Sequence, residues 1–245
     1  MDDAGRALRA ARPLAVRAVE VAFARLAEGR DQRIDRRVER VACAPAQRVR
    51  ASFSRPHFAF EPLAQGVVAV EIDVDPEARD LVVVANLIVG SEAAVAYVGC
   101  SGCVVAHNTI VDPQRWILRI LQERVSAPPY TFEPCRDGVF TNNLVSFARS
   151  ALSTHLNIGP DTAPATFTFA NNLWYAWDAP AQSQPALPSP ETNGIYGVDP
   201  DLGPGYRIGP GSPAAGTGVT SPWSDGDHDG ACFATPPSRG AFEVP

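Results

Sequence analysis

Asn86-Leu87-Ile88-Val89, Asn108-Thr109-Ile110-Val111, Asn143-Leu144-Val145 and Asn172-Leu173-Trp174-Tyr175 are four versions of one phrase. Each sets an Asn just before a short apolar, strand-forming run, and two double the Asn, as Asn142-Asn143 and Asn171-Asn172. The phrases lie 22, 35 and 29 residues apart. Self-similarity with a period in the twenties marks a chain that winds on itself and stacks one coil on the next. Asn suits the corner of such a coil, because its short polar side chain tolerates left-handed backbone. Asn side chains stacked in register can also hydrogen-bond from coil to coil. The repeat predicts a parallel β-helix.

The sequence around the phrases agrees. From Val68 the run Val68-Ala69-Val70-Glu71-Ile72-Asp73-Val74 alternates, which buries one face of a strand and wets the other. Runs over 81–90, 94–99, 103–111 and 116–121 are rich in Val, Ile and Leu and are separated by Gly, Asp or Pro. No helical segment of 10–15 residues lies between them, which excludes a doubly wound α/β fold. Pro and Gly clusters predict loops at 122–137, 157–165 and 178–194. In a solenoid such insertions gather on one side and build the binding face.

Charge is unevenly distributed over the 245 residues. Residues 1–55 carry 13 Arg against 7 acids, while 56–245 carry 8 Arg against 20 acids. The acidic body argues against nucleic acid as a partner, and it would repel polyuronates unless calcium bridged the charges. No apolar run is long enough for a membrane span. Residues 1–50 form a separate Arg/Ala-rich unit. Leu8, Ala15, Val19, Phe23 and Leu26 fall at helical spacing. Two readings of it stay open: a helical cap over the end of the solenoid, or an extension from a wrongly chosen start. The β-helix then occupies 51–245. No signal peptide is legible, because Arg6, Arg9, Arg12, Arg17, Glu20 and Arg25 interrupt residues 1–29.

The five cysteines are Cys43, Cys100, Cys103, Cys135 and Cys232. Cys100-Ser101-Gly102-Cys103 lacks the second close pair of a zinc ribbon and the βαβ context of a thioredoxin-like motif. The reading is small side chains packed in a coil, with Cys135 or Cys232 as a disulfide partner in an oxidising compartment. The pairing stays open.

The last fifty residues carry a resemblance. They contain Gly197-Val198-Asp199-Pro200, Tyr206-Arg207-Ile208, Pro210-Gly211-Ser212-Pro213-Ala214, Asp227-His228-Asp229-Gly230 and Gly240-Ala241-Phe242-Glu243. This order resembles the C-terminal end of right-handed parallel β-helix proteins of the pectate-lyase-like superfamily. With the Asn phrases, the likeness covers roughly residues 65–245. It implies a right-handed helix, a Tyr206–Ile208 strand, a closing Gly240–Glu243 strand and an extracellular or cell-surface setting. Ala215 and Arg239 depart from the pattern, each standing where a bulkier or branched apolar residue is usual. Family members have more coils, so the chain looks like the C-terminal portion of a longer protein. Lyases, hydrolases, epimerases and adhesins share the architecture, and the tail is weakly specific among them.

Candidate chemistry is sparse. Asp225-Gly226-Asp227-His228-Asp229-Gly230 matches the start of a calcium loop, with Asp225, Asp227 and Asp229 as ligands. Pro236 stands where an EF-hand needs Glu, so a solvated acidic turn is the competing reading. Trp177, in a loop, is the best sugar-stacking platform, with Arg115 and Arg136 as flanking cations or surface salt-bridge partners. His107 reads as a packing residue beside Asn108. These features lead to a monomeric, non-catalytic, carbohydrate-binding or scaffold β-helix with polysaccharide as its partner. A polysaccharide lyase or glycoside hydrolase is the runner-up.

Overall fold

The computed structural model describes residues 78–126, 132–224 and 226–244, together with the backbone of strands Val21–Phe23, Arg48–Arg50 and Val68–Val70. Apart from the first two of those strands, the 1–50 unit lies outside the described residues.

The chain is an all-β parallel solenoid. Sheet I stacks Val82–Val84, Val104–Ala106, Val139–Thr141, Thr168–Ala170 and Glu191–Thr192. Sheet II stacks Leu87–Val89, Thr109–Val111, Leu144–Phe147, Leu173–Ala176 and Ile195–Tyr196. Sheet III stacks Ala93–Val98, Trp116–Leu121 and Leu156–Ile158, and continues on its other side to Val21–Phe23 and Val68–Val70. All these pairings are parallel; Arg48–Arg50 alone joins antiparallel, on Val82–Val84. Each coil runs from sheet I to II to III and then into the next coil.

Three-residue strands form because β-branched residues favour extended backbone while fixed corners interrupt them. The runs at 81–90 and 103–111 are each two strands broken at a corner. The corner corrects one expectation. The left-handed residue is the one before each ladder Asn: Ala85 (φ 56°), His107 (51°), Asn142 (54°) and Asn171 (54°), with Asn193 (55°) at the same corner of the next coil. The doubled Asn thus divides two tasks, the first taking the turn and the second the ladder.

The ladder lies inside the corner. Asn86 donates its backbone and side-chain N–H groups to Asn108 Oδ1, both at 3.0 Å. Asn108 does the same to Asn143 Oδ1 at 2.9 and 3.1 Å, and Asn143 to Asn172 Oδ1 at 2.9 and 3.0 Å. The Nδ2 groups of Asn108, Asn143 and Asn172 also reach back to the carbonyls of Val83, Val105 and Phe140. Buried amides satisfied this fully specify the stacking register.

Like residues stack on like in the core. The rows are Val83–Val105–Phe140–Phe169 and Ile88–Ile110–Val145–Trp174, with Val95–Leu118–Leu156 from sheet III. Each fully buried aliphatic side chain contributes roughly 1.5–3 kcal/mol. Phe140 stacks on Trp174 with ring centroids 5.5 Å apart.

Two of the expected loops contain strands. Leu156–Ile158 pairs with Trp116–Leu121, and Glu191–Thr192 pairs with Thr168–Ala170. Sheet III stops at Leu156–Ile158 while the other sheets continue, and the 177–190 loop closes the gap. There Ser183 Oγ accepts the Ala176 N–H at 2.8 Å.

The C-terminal segment runs back along the outside of the sheet I–II corner. Ile208 and Ala214 pack on Leu144 and Leu173 of sheet II, and Trp223 packs on Val84, Val104 and Ala106 of sheet I. Arg239 bonds the carbonyls of Asn172 and Asn193, Gly240 bonds that of Asn142, and His228 Nδ1 lies 3.1 Å from the carbonyl oxygen of Ala85. Tyr206–Ile208 and Gly240–Glu243 are not strands, contrary to the resemblance. The second of them bonds the corner carbonyl of Asn142 and the Thr109 hydroxyl across the coils, so no ladder forms.

The cysteines also correct an expectation. Cys100 and Cys103 bond to each other, with Cα atoms 6.1 Å apart, and Cys232 is disulfide-bonded as well. Gly102 makes the short loop possible: its φ is +71°, and a Cβ there would sit 2.7 Å from Asp80 Oδ1.

Candidate functional site

The triangular coil has three corners, and the candidate residues distribute over all of them. Arg136 lies at the III–I corner, in a parallel bridge with Ser101. Asp227 and Asp229 lie in the segment that covers the I–II corner. Trp177 and Arg115 belong to the II–III corner.

At the II–III corner, Asp112 leaves sheet II in left-handed backbone (φ 48°). Trp177 leaves the same sheet two coils further on, its N–H bonded to the carbonyl of Phe147 at 3.0 Å. Its indole Nε1–H donates to Asp112 Oδ1 at 2.7 Å. Neighbouring coils lie ~4.8 Å apart, so the indole bridges the width of the intervening coil. Trp177 is anchored at both ends and stays 42 % exposed. Beside it Tyr175, in register with Ser146, donates its hydroxyl to Asp199 Oδ2 at 3.0 Å. Asp178 accepts the backbone N–H groups of Arg149 and Ser150 at 2.5 and 2.9 Å. Its carboxyl is held below the usual carboxylate range, first by the Ser150 side chain and then by those N–H groups. The result is a fixed aromatic shelf with acidic edges.

Arg115 pairs with Glu92 at 3.1 Å, and its guanidinium stacks 4.0 Å from the Trp116 ring centroid. Arg119 lies over the same ring at 4.5 Å. Arg136 pairs with Asp137 at 2.6 Å, on a different corner from Trp177. The structure therefore does not gather Trp177, Arg115 and Arg136 into one site.

The acidic turn is organised from within. Asp227 is buried, its Oδ1 accepting the N–H groups of Asp229 (3.0 Å) and Ala231 (2.8 Å) and its Oδ2 that of Glu243 (3.0 Å). Asp229 pairs with Arg207, which holds its carboxyl below the usual range. Asp225 lies outside the described residues. Among the described residues, no group of three or more His, Cys, Asp or Glu side chains is placed to hold a metal.

The described histidines serve packing. His107 is fully buried between the Asn142 amide (2.9 Å) and the Phe233 ring, and desolvation lowers its pKa to about 4. His155 packs edge-on against Phe147, and desolvation, followed by nearby Arg149, lowers its pKa. His228 stacks edge-on against Phe242.

Asp112, Glu191 and Arg239 are the residues the sequence did not reveal. Asp112 precedes a Pro and looks like an ordinary turn; its partner lies 65 positions away. Arg239 had one legible signal, an Arg where the resembled pattern has an apolar residue. Comparison with protein-family models and with curated protein sequences found no match for this chain. Among the described residues no helix is long and apolar enough to cross a membrane.

Proposed function

We propose that this chain is a non-catalytic β-helix module of a pectate-lyase-like, extracellular or cell-surface protein, and that it binds polysaccharide at the II–III corner. The observation that carries the reading is the Trp177 indole, fixed by Asp112 and Phe147 yet open to solvent. An aromatic ring held in place and partly exposed offers the apolar face of a sugar a stacking surface at little entropic cost. Acids surround it: Asp112, Asp178 and Asp199. That charge favours a neutral sugar chain over a polyuronate. The runner-up, a lyase or hydrolase, needs a base and an acid within hydrogen-bond reach of one sugar.

Affinity electrophoresis of the chain in gels containing neutral and acidic polysaccharides tests this. Retardation by a neutral glycan, weakened on the order of tenfold in Trp177→Ala, is the expected result. Equal retardation of wild type and variant removes the shelf from the binding surface. Release of unsaturated or reducing ends from any glycan replaces the binding reading with the enzymatic one.

A further inference from the structure

Three cysteines meet at the III–I corner. Ser101 and Arg136 are parallel bridge partners on successive coils, with the Arg136 N–H bonded to the Cys100 carbonyl at 2.9 Å and the Gly102 N–H to the Arg136 carbonyl at 3.2 Å. That register stacks Cys100 directly on Cys135. Cys135 is a buried thiol that donates to the Tyr97 carbonyl at 3.6 Å. Cys100, Cys103 and Cys135 all belong to one core cluster, and none is more than 1 % exposed. Stacked coils place such Cα atoms ~4.8 Å apart, inside the ~4.4–6.8 Å range a disulfide spans. Cys100 therefore has two partners in bonding range: Cys103 in its own turn and Cys135 on the next coil.

We propose that this corner is an internal thiol–disulfide switch, in which the Cys100–Cys103 bond exchanges with a Cys100–Cys135 bond. The Cys135 thiolate attacks Cys100 Sγ, the Cys100–Cys103 bond breaks, and Cys103 departs as a thiolate. The net proton transfer is from Cys135 to Cys103. One disulfide and one thiol stand on each side, so no oxidant or reductant is consumed. The two states differ mechanically. The Cys103 partner closes a tight loop within one turn. The Cys135 partner staples two coils and encloses the whole 101–134 segment, with most of the 122–137 insertion. A crosslink across the longer loop constrains the unfolded chain more. Exchange runs through the thiolate, so it is accelerated by alkali or by a small thiol catalyst. This inference does not depend on glycan binding.

The test is disulfide mapping of the full chain. Native protein is equilibrated in a glutathione redox buffer at pH 8.5, acid-quenched, alkylated, digested and read by mass spectrometry. The expected result is a Cys100–Cys135 peptide alongside Cys100–Cys103, with the first species melting several degrees higher. Recovery of Cys100–Cys103 alone at every time point overturns the proposal. In Cys103→Ser, folded by circular dichroism, oxidation should yield Cys100–Cys135 and a mass loss of two hydrogens. A folded variant that keeps Cys100 as a thiol or a glutathione adduct also overturns it. If this variant does not fold, the wild-type map decides.

Discussion

Asn172, the last rung of the asparagine ladder, donates its backbone and side-chain N–H groups to one oxygen of Glu191, at 3.0 and 2.8 Å. The other oxygen of Glu191 accepts Trp174 Nε1–H and the Tyr196 hydroxyl, each at 2.8 Å. Glu191 is in register with Phe169, an inward core position in the coil before. The ladder position itself passes to Gly194, where a Cβ would meet the Tyr196 hydroxyl at 2.2 Å and Glu191 Oε2 at 2.8 Å. A carboxylate thus replaces the next amide and ends the repeat. An acceptor with no N–H to offer cannot extend the ladder.

Glu191→Leu should leave four donors without their acceptor. A loss of about 2–4 kcal/mol in urea unfolding is expected, with Glu191→Gln milder because its amide keeps one acceptor oxygen. Equal stability of the Glu191→Leu variant and wild type would show that water satisfies these donors.

The rungs should be unequal. Asn143→Ala breaks bonds to both neighbouring coils in a buried setting and should cost about 2–4 kcal/mol. Asn86→Ala removes only the side-chain bonds of the first, partly exposed rung and should cost about 1 kcal/mol. Chemical denaturation of the two variants checks the order.

His107 should make stability depend on pH. Its folded pKa is lowered to about 4 from 6.5, so the unfolded chain binds the proton more readily. Stability is full above pH 6.5, falls as the pH drops, and levels off once the folded protein also protonates near pH 4. The loss from this group amounts to about 3 kcal/mol at most. His107→Asn places at this corner the residue found at 142, 171 and 193, and it should remove that component of the slope. A wild-type slope that persists unchanged in the variant would assign the titration elsewhere.

Arg239 joins the C-terminal segment to the last coils. Its guanidinium donates to the carbonyls of Asn172, Asn193 and Thr217, and the residue is buried. Arg239→Met should cost about 3 kcal/mol and open the 214–240 segment to limited proteolysis. Cleavage sites unchanged from wild type would mean that the segment is held mainly by Ile208, Ala214 and Trp223.

Asp112→Ala should weaken glycan binding about as much as Trp177→Ala, because the indole loses its anchor. Stability should fall by about 1 kcal/mol, because Ala tolerates left-handed backbone less well than Asp. Titration calorimetry and denaturation of the same preparations separate the two effects.

The solenoid was legible in the residues alone. Its signature is local and periodic: an Asn before each β-rich run, repeated in order, predicts both the stacking and the coil-to-coil amide bonds. The left-handed residue was misplaced by one position, because Asn suits both the turn and the rung and only backbone angles separate the two. Distant partners were favoured over the Cys100–Cys103 pair, whose closure depends on a left-handed glycine. Contacts between coils that follow no repeat emerged only from the folded chain. Asp112 meets Trp177 across two coils, Cys100 stacks on Cys135 across an insertion, and Arg239 reaches carbonyls 46 and 67 positions away. Periodicity repeats along the chain and can be read there. The position of a loop residue over a neighbouring coil depends on insertion lengths and packing, which leave no period in the sequence.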